Sequence, residues 1–276
     1  MRCTNPISLG GMLVPCCKCM ACRIARTSEW TTRVMHELIG KSGCFITLTY
    51  DEKNLPENGT LVKEHFQLFM KRLRRFVEPT KIKYYGCGEY GEKTNRPHYH
   101  AVIINWMPDR EGLYRPSGKY YASRQLEKLW MFGNNTVGTI TNDSVQYVCG
   151  YIRKKLYGPK YQDIYGGRLA PFQLQSMKLG YDYAVQHKDQ ILEKGITRDG
   201  KNVGIPRYYR KKLIEKDTVE EYYYHQKCKE ARDKEQEPYL DENGIMREYY
   251  FDKASDRDRR RKALQKAEEI YVRSKM

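Results

Sequence analysis

The tripeptide His98-Tyr99-His100 is the part of this chain best suited to chemistry. Only six histidines occur among 276 residues, so two of them spaced i,i+2 are informative. On a β-strand, residues i and i+2 point to the same face, which directs both imidazoles at one place as two ligands of a metal ion. The alternative is a pair of polar residues on a solvated strand face.

Glu89 can complete a set of three ligands. It precedes the turn-rich segment GEKTNRP, which predicts a hairpin that brings Glu89 next to the two imidazoles. Glu92 is nearer in sequence, but it falls in the predicted turn. Two imidazoles and one carboxylate suit a divalent ion with open positions, and a phosphodiester substrate favours Mg²⁺ or Mn²⁺. An Fe(II) oxygenase uses the same ligand set, so that interpretation stays open.

Tyr147 and Tyr151 are the candidate nucleophiles. They stand four residues apart in one helical pattern, which places both hydroxyls on the same helix face. Other tyrosine pairs with this spacing are interrupted by glycine or proline. A tyrosine beside a metal ion can attack a phosphate, and Lys154 or Lys155 can neutralise that phosphate or lower the phenol pKa. The alternative is two tyrosines that only pack.

A second group of possible ligands lies near the N-terminus. Cys16, Cys19 and Cys22 form a C-x₂-C-x₂-C run, and Cys3 could supply a fourth thiolate for a structural Zn²⁺ site. The usual two-pair spacing is absent, so ordinary thiols near a helix start are the alternative. Nine unevenly spread cysteines do not suggest a disulfide framework and indicate a reducing compartment.

The elements that must position these residues follow the order β-α-β-β-α-β-α. This is the ferredoxin-like pattern with a trailing helix, and it predicts an α+β fold with an antiparallel sheet and flanking helices. Ser123 is predicted to cap the third helix and Gly133 to end it. Asn142 or Asp143 is predicted to cap the last helix. The predicted ranges are helix 28–39, strand 44–50, helix 62–77, strands 81–90 and 98–104, a short helix after Ser123, strand 136–141 and helix 144–156.

We predict three regions along the chain. Residues 1–43 form a Cys-rich arm and a helix, residues 44–158 the core that carries the candidate site, and residues 159–276 a basic, helical accessory region. Glycine and proline recur in the first part of this last region, and charged helical stretches follow.

The charge of the chain favours a nucleic-acid partner. Lys and Arg outnumber Asp and Glu by 50 to 34, and the formal net charge of +16 favours a polyanion because binding releases condensed counterions. The 24 tyrosines suit the exposed base faces of single strands. A solvated basic surface is the alternative. One predicted contact with a single strand is the segment that contains Arg207, Tyr208, Tyr209 and Arg210.

Two classes of protein are disfavoured by the sequence. No run approaches the ~20 apolar residues of a membrane span, so a cytoplasmic protein is expected. Gly195-x₄-Gly200-Lys201 nearly matches a phosphate loop, but Asn202 replaces the Ser or Thr that holds Mg²⁺. We therefore expect no ATP-driven activity, and any unwinding of DNA would need a separate helicase.

Three motifs resemble those of a known family. FITLTY, GEYGEKTNRPHYH and YVCGYIRKK, in that order, are similar to the three motifs of HUH replication initiators. VPCCKCMACR, EWTTRVMHE, PFQLQSMKLGYDY and IPRYYRKKL more specifically resemble initiators of gokushovirus-like phages of the Microviridae. The likeness covers residues 15 to 213.

The resemblance implies a metal-dependent endonuclease of rolling-circle replication. Such an enzyme nicks single-stranded viral DNA at an origin and religates it through a 5′-phosphotyrosine. It implies action in the cytoplasm of a bacterial host, together with a host helicase and polymerase. The alternative from a different class is a non-catalytic, zinc-containing DNA-binding protein. The roles carried over fall on Glu89, His98 and His100 as metal ligands and on Tyr147, Tyr151 and Lys154 as catalytic residues.

Overall fold

A computed structural model gives the fold for residues 3–9, 12–91, 94–116, 120–151, 165–215, 218–234, 239–240, 246–247, 261–264 and 266. The strands are β1 (Ile7–Leu9), β2 (Met12–Val14), β3 (Gly43–Tyr50), β4 (Lys83–Tyr90), β5 (Pro97–Ile104), β6 (Leu113–Tyr114), β7 (Ala122–Ser123), β8 (Gly133–Gly138), β9 (Phe172–Gln175), β10 (Ile196–Arg198), β11 (Lys201–Val203), β12 (Tyr239–Leu240) and β13 (Met246–Arg247). The α-helices are α1 (Met20–Leu38), α2 (Lys63–Phe76), α3 (Arg124–Leu129), α4 (Asn142–Gly150), α5 (Tyr181–Gln186), α6 (Lys188–Lys194), α7 (Arg207–Leu213) and α8 (Val219–Lys234). The chain forms two compact units, one of Met1–Ala25 with His187–Met276 and one of Arg26–Gln186.

A five-stranded antiparallel sheet organises the unit Arg26–Gln186. Its strand order is β8-β3-β5-β4-β9. The first four strands have the order expected when a β-α-β-β-α-β chain folds in the ferredoxin-like way, so the predicted fold class is confirmed. The edge strand β9 comes from the range 159–276, which the sequence analysis assigned to an accessory region.

The two faces of the sheet are covered by different helices. Along β5, Tyr99, Ala101 and Ile103 enter a core cluster with residues of α2 and α3. The alternate residues Val102 and Ile104 enter a second cluster with residues of α1 and α4. Because side chains alternate along a strand, the two histidines of β5 lie on this second face. The helix that carries the tyrosine pair therefore covers the face to which both histidines point.

Tyr99, between the two histidines, ties β5 to the start of α2. Its ring is fully buried, and its hydroxyl donates to the Val62 carbonyl at 2.8 Å and accepts from the Val62 amide at 3.0 Å. Val62 is the N-cap of α2 and makes no side-chain cap hydrogen bond, so the tyrosine hydroxyl takes over part of the capping role. This contact fixes which face of β5 is turned towards the helices α2 and α3.

The structure corrects two predicted helix boundaries. α4 is capped by Thr141, not by Asn142 or Asp143, since the Thr141 hydroxyl accepts from the Ser144 amide at 3.1 Å in a reciprocal capping box. α3 is capped by Ser123 as predicted, but it ends at Leu129. Gly133 instead begins β8 with a φ of +148°, where a Cβ atom would meet the backbone of β3.

The other unit, Met1–Ala25 with His187–Met276, contains short elements. β1 pairs with β2, β10 with β11 and β12 with β13, each pair antiparallel. The stretch that nearly matches a phosphate loop forms the hairpin β10–β11. Lys188 of α6 forms an ion pair with Glu220 of α8 at 2.9 Å. None of the helices in the described part of the chain has the length and apolar character that a bilayer crossing requires.

Candidate active site

The hairpin of β4 and β5 brings the three candidate ligands together. Glu89 and His98 are directly opposite in the register of the two strands, and His100 is two residues further along the same face. The Glu89 Oε1 atom lies 2.9 Å from His98 Nε2 and 3.4 Å from His100 Nε2. The geometry predicted from the spacing of these residues is therefore present.

Both imidazoles are held with Nε2 turned towards the carboxylate. His98 Nδ1 lies 3.1 Å from the Arg96 carbonyl oxygen, and His100 Nδ1 lies 2.8 Å from Thr47 Oγ1. A carbonyl can only accept, so His98 donates from Nδ1, and its Nε2 lone pair is then available in the neutral ring. Hydrogen bonds of this kind orient the histidine ligands in metal sites.

The three residues share a largely dry environment. Glu89 and His100 are buried, and His98 is mostly buried. Burial raises the pKa of the Glu89 carboxyl, but hydrogen bonds and charge from His100 and His98 outweigh that effect and lower the pKa to about 2. Glu89 is therefore a carboxylate at neutral pH and can act as an anionic ligand.

The donor set fits a divalent cation. One ligand atom from each of Glu89, His98 and His100 can be chosen so that the three lie within 4.8 Å of one another. All three converge from a single hairpin, which leaves the side opposite the hairpin for other ligands. The chemistry of one carboxylate oxygen and two imidazole nitrogens suits Mn²⁺ well and Mg²⁺ acceptably.

The tyrosine pair lies directly over this group. The Tyr151 ring stacks on the His100 ring, with centroids 5.3 Å apart and planes 8° apart. The Tyr147 ring meets His100 edge-on at 5.5 Å and Tyr151 at 4.9 Å. Helix α4 thus presents both tyrosines to the candidate ligands, as the i,i+4 spacing predicted.

The two tyrosines differ in exposure. Tyr151 is buried, with 4% of its surface exposed, whereas Tyr147 is only half-buried. Burial raises the pKa of the Tyr151 hydroxyl well above its usual range, and the Glu89 carboxylate and Tyr147 raise it further. Lys154 and Lys155, which we predicted to assist the reaction, lie outside the described residues.

Sequence reasoning missed two residues that contact His100 from β3. Thr47 is opposite His100 in the strand register and bonds to its Nδ1 atom. Phe45 stacks on the His100 ring at 5.6 Å and meets the Tyr147 ring edge-on. The alternation in FITLTY already separates these two residues from the apolar face of the strand, but only the register of β3 against β5 identifies their partner.

The four cysteines of the predicted zinc site also come together, in the other unit. Cys3, Cys16, Cys19 and Cys22 are free thiols whose sulfur atoms lie within 4.8 Å of one another. Burial raises the pKa of Cys22, and the neighbouring Cys3 and Cys19 raise it further. Burial also acts on Cys19, but hydrogen bonds to Thr4 and Cys22 lower its pKa to about 6. This group could hold a metal ion.

The predicted contact with a single strand is supported only in part by side-chain exposure. Arg207 and Arg210 of α7 are exposed, and Tyr208 is half-buried. Tyr209 is fully buried. A ring with no exposed face cannot stack on a base, so the inclusion of Tyr209 is corrected here.

Fold and site together define an α+β protein in which two histidines and a glutamate face a pair of tyrosines across an antiparallel sheet. Residues 43–156, which include the strands and helices around this site, match the family model of the replication-associated protein ORF2. No solved structure matches the fold significantly.

Relatives in three bacterial viruses cover most of the chain. It is 33% identical to replication-associated protein ORF4 of Chlamydia phage 1 over 76% of its length, and it spans 57% of that relative. It is 32% identical to replication-associated protein ORF2 of Spiroplasma virus 4, with 80% of the chain and 73% of the relative covered. For replication-associated protein VP4 of Bdellovibrio phage phiMH2K, the values are 33%, 73% and 68%. The chain therefore belongs to the family of replication-associated proteins of microviruses, which confirms the resemblance and a role in viral replication.

Proposed function

We propose that this protein nicks single-stranded viral DNA at a replication origin and later religates it through a 5′-phosphotyrosine. The observation that carries the proposal is the position of Tyr147 and Tyr151 against His100, with ring centroids 5.5 and 5.3 Å away. An exposed nucleophile beside a set of metal ligands is the arrangement that transesterification of a phosphodiester requires. The non-catalytic alternative gives no reason for these residues to converge.

The ligand roles follow from the donor atoms. Glu89, His98 and His100 would hold Mg²⁺ or Mn²⁺, which when bound supplies Lewis-acid stabilisation of charge on the scissile phosphate. Thr47 and the Arg96 carbonyl keep the imidazole Nε2 atoms directed at the site. The surrounding aromatic rings limit access of water to the buried ligands.

The tyrosine hydroxyl performs the covalent step. Its oxygen bonds to phosphorus while the bond from phosphorus to the 3′-oxygen breaks, and the phenolic proton is balanced by the proton that the 3′-oxygen gains. The products are a 5′-phosphotyrosine and a free 3′-hydroxyl. Because the phosphodiester energy is retained in the new bond, religation by the reverse step needs no ATP.

Two tyrosines allow two successive transfers. One holds the 5′ end while a host polymerase extends the 3′-hydroxyl behind a host helicase, and the other attacks the regenerated junction. Lys154 is proposed to neutralise the phosphate and Lys155 to contact DNA. The division into an arm with a helix (1–43), a nuclease core (44–158) and an accessory region (159–276) also stays a proposal, as does action in the host cytoplasm.

Covalent trapping tests the proposed activity. Protein, Mn²⁺ and labelled single-stranded fragments that tile the cognate viral genome are mixed, and a denaturation-resistant adduct is sought. We expect one fragment to form an adduct that disappears with EDTA and in the Tyr147→Phe/Tyr151→Phe variant. Binding to DNA without any adduct across the whole genome would instead support the non-catalytic alternative.

A matched pair of tyrosines provides the control. Tyr222 and Tyr223 of α8 are 61% and 66% exposed and lie outside the candidate site. The Tyr222→Phe/Tyr223→Phe variant also removes two hydroxyls, and we expect it to form the adduct at the wild-type level. Loss of the adduct in this variant would contradict the assignment of the nucleophiles to α4.

A further inference from the structure

The four cysteines near the N-terminus have the spacing of a tetrathiolate metal site. The sulfur atom of Cys3 lies 3.5 Å from that of Cys16 and 3.7 Å from that of Cys19. Four sulfurs placed tetrahedrally at ~2.3 Å from a zinc ion are about 3.8 Å apart. A disulfide would need about 2.05 Å. These separations fit a shared ion better than any pairing of the thiols.

The backbone around these sulfurs is arranged as in a metal-binding turn. The Cys16 amide points at the Cys3 sulfur at 3.3 Å, and the Cys19 amide points at the Cys16 sulfur at 3.2 Å. Amide donors of this kind stabilise thiolates, just as hydrogen bonds to other metal ligands hold and tune them. Cys17, within the turn, has a φ of +59°, which an L-residue adopts only when its surroundings hold it there.

The segment closed by this group has little else to hold it. Between Cys3 and Cys16 the chain forms the hairpin β1–β2, three residues per strand, with Ile7 51% and Leu9 67% exposed. An isolated two-stranded hairpin is marginally stable in water, and small segments without a core need a staple. A bound ion would connect both ends of the hairpin segment to Cys19 and to Cys22 in the first turn of α1.

We propose that Cys3, Cys16, Cys19 and Cys22 bind one structural Zn²⁺ ion that holds the N-terminal hairpin against the start of α1. The four thiols bind as thiolates and release their protons. With four sulfur ligands the ion has no open position, so the site stabilises the fold and takes no part in the reaction. This proposal does not depend on the proposed nuclease activity.

Metal analysis of the full chain, without DNA, tests the proposal. After purification under reducing conditions with zinc, we expect about one zinc per chain. Cys22→Ser should lose this zinc, whereas Cys17→Ser should keep it, because the exposed Cys17 belongs to the same run but not to the group of four. His98→Ala/His100→Ala should also keep the zinc, which separates this site from the candidate active site.

Cobalt substitution and proteolysis extend the test to variants that fold poorly. Co²⁺ in the wild-type protein should give the intense visible and thiolate charge-transfer bands of tetrahedral sulfur coordination, and a chelator should make the segment 3–22 sensitive to protease. No zinc in the wild-type protein, or equal loss in Cys17→Ser, would overturn the proposal. Loss of the zinc in His98→Ala/His100→Ala would overturn it as well.

Discussion

The Thr47 hydroxyl lies 2.8 Å from Nδ1 of His100, across the β3–β5 pair in which the two residues are directly opposite. If His100 is neutral and donates from Nδ1, its Nε2 atom carries the lone pair that a metal ligand needs. Thr47 is therefore a positioning residue that acts through His100 and does not itself reach the site.

We predict that Thr47→Val weakens binding of Mn²⁺ by about tenfold, the lower end of the effects seen when the hydrogen-bond partner of a histidine ligand is removed. Valine keeps the branched shape on the strand but cannot accept the Nδ1 hydrogen bond. Thr47→Ser restores an acceptor and should restore most of the affinity. Titration of the full chain by calorimetry measures both values without a nuclease assay.

Thr49→Val is the matched control for this measurement. Thr49 lies on the same face of β3, two residues along, and its hydroxyl bonds to the Asn134 carbonyl oxygen. Removing that hydroxyl should leave Mn²⁺ affinity unchanged. If Thr49→Val weakened binding as much as Thr47→Val, the effect would be one of strand stability and not of His100 orientation.

The exposure of the tyrosines predicts which one cuts first. Tyr147 is half-buried, whereas Tyr151 is buried and stacked on His100. A phosphate can reach the Tyr147 hydroxyl with less rearrangement of the packed rings. We predict that Tyr147→Phe slows formation of the first adduct at least tenfold more than Tyr151→Phe does, in a single-turnover assay. Equal slowing by both substitutions would count against this order.

The local part of the site is predictable from the sequence. The i,i+2 histidines, the carboxylate before the turn and the i,i+4 tyrosines follow from the periods of strands and helices, which a short segment already shows. The antiparallel sheet followed for the same reason, because the order of elements leaves few ways to pair the strands. The contact between Thr47 and His100, by contrast, depends on a register between strands 53 residues apart.

Other differences arise where tertiary contacts override local patterns. β9 is a four-residue strand in a region rich in glycine and proline, and its pairing with β4 decides its conformation. Helix α1 begins at Met20, within the run predicted to be a Cys-rich arm. Tyr209 alternates with basic residues, a pattern typical of nucleic-acid contacts, yet packing makes it a core residue.

A buried ion pair predicts how stability depends on pH. Glu37 is 3% exposed and accepts from Lys83 at 2.9 Å, from Lys41, and from the Gly180 amide at 2.8 Å. Burial raises the pKa of this carboxyl, but the two lysines and the amide lower it further, so the net pKa is lowered. Its contribution to stability is present above the pKa of an unfolded Glu, about 4.3, and is lost as pH falls through the lower folded value.

We therefore predict that Glu37→Gln lowers the free energy of unfolding at pH 7 by about 3 kcal/mol, as for one partner lost from a buried pair. The difference from wild type should shrink as the pH falls below about 4, where the wild-type carboxylate also becomes protonated. Urea unfolding across this range measures it. Glu64→Gln, on the exposed face of α2, should change stability little at any pH. A Glu37→Gln effect independent of pH would contradict the ion-pair explanation.

Neighbouring tyrosines of α7 separate DNA binding from folding. Tyr208 is half-buried and follows the exposed Arg207, whereas Tyr209 is fully buried. If α7 contacts single-stranded DNA, Tyr208→Ala should weaken binding by about 1 to 3 kcal/mol with little change in thermal stability, because one stacked base is lost. Tyr209→Ala should instead lower the free energy of unfolding by about 3 to 5 kcal/mol, because it leaves a large cavity.

The two arginines of α7 add a test by salt titration. Arg207→Ala/Arg210→Ala should reduce the slope of log K against log salt by about 0.7 for each phosphate of a single strand that is no longer neutralised. Tyr208→Ala should leave that slope unchanged, since stacking releases no counterions. An unchanged slope in the arginine variant, together with unchanged affinity in Tyr208→Ala, would place the DNA-binding surface elsewhere, because a surface that binds the backbone must release fewer counterions when its charges are removed.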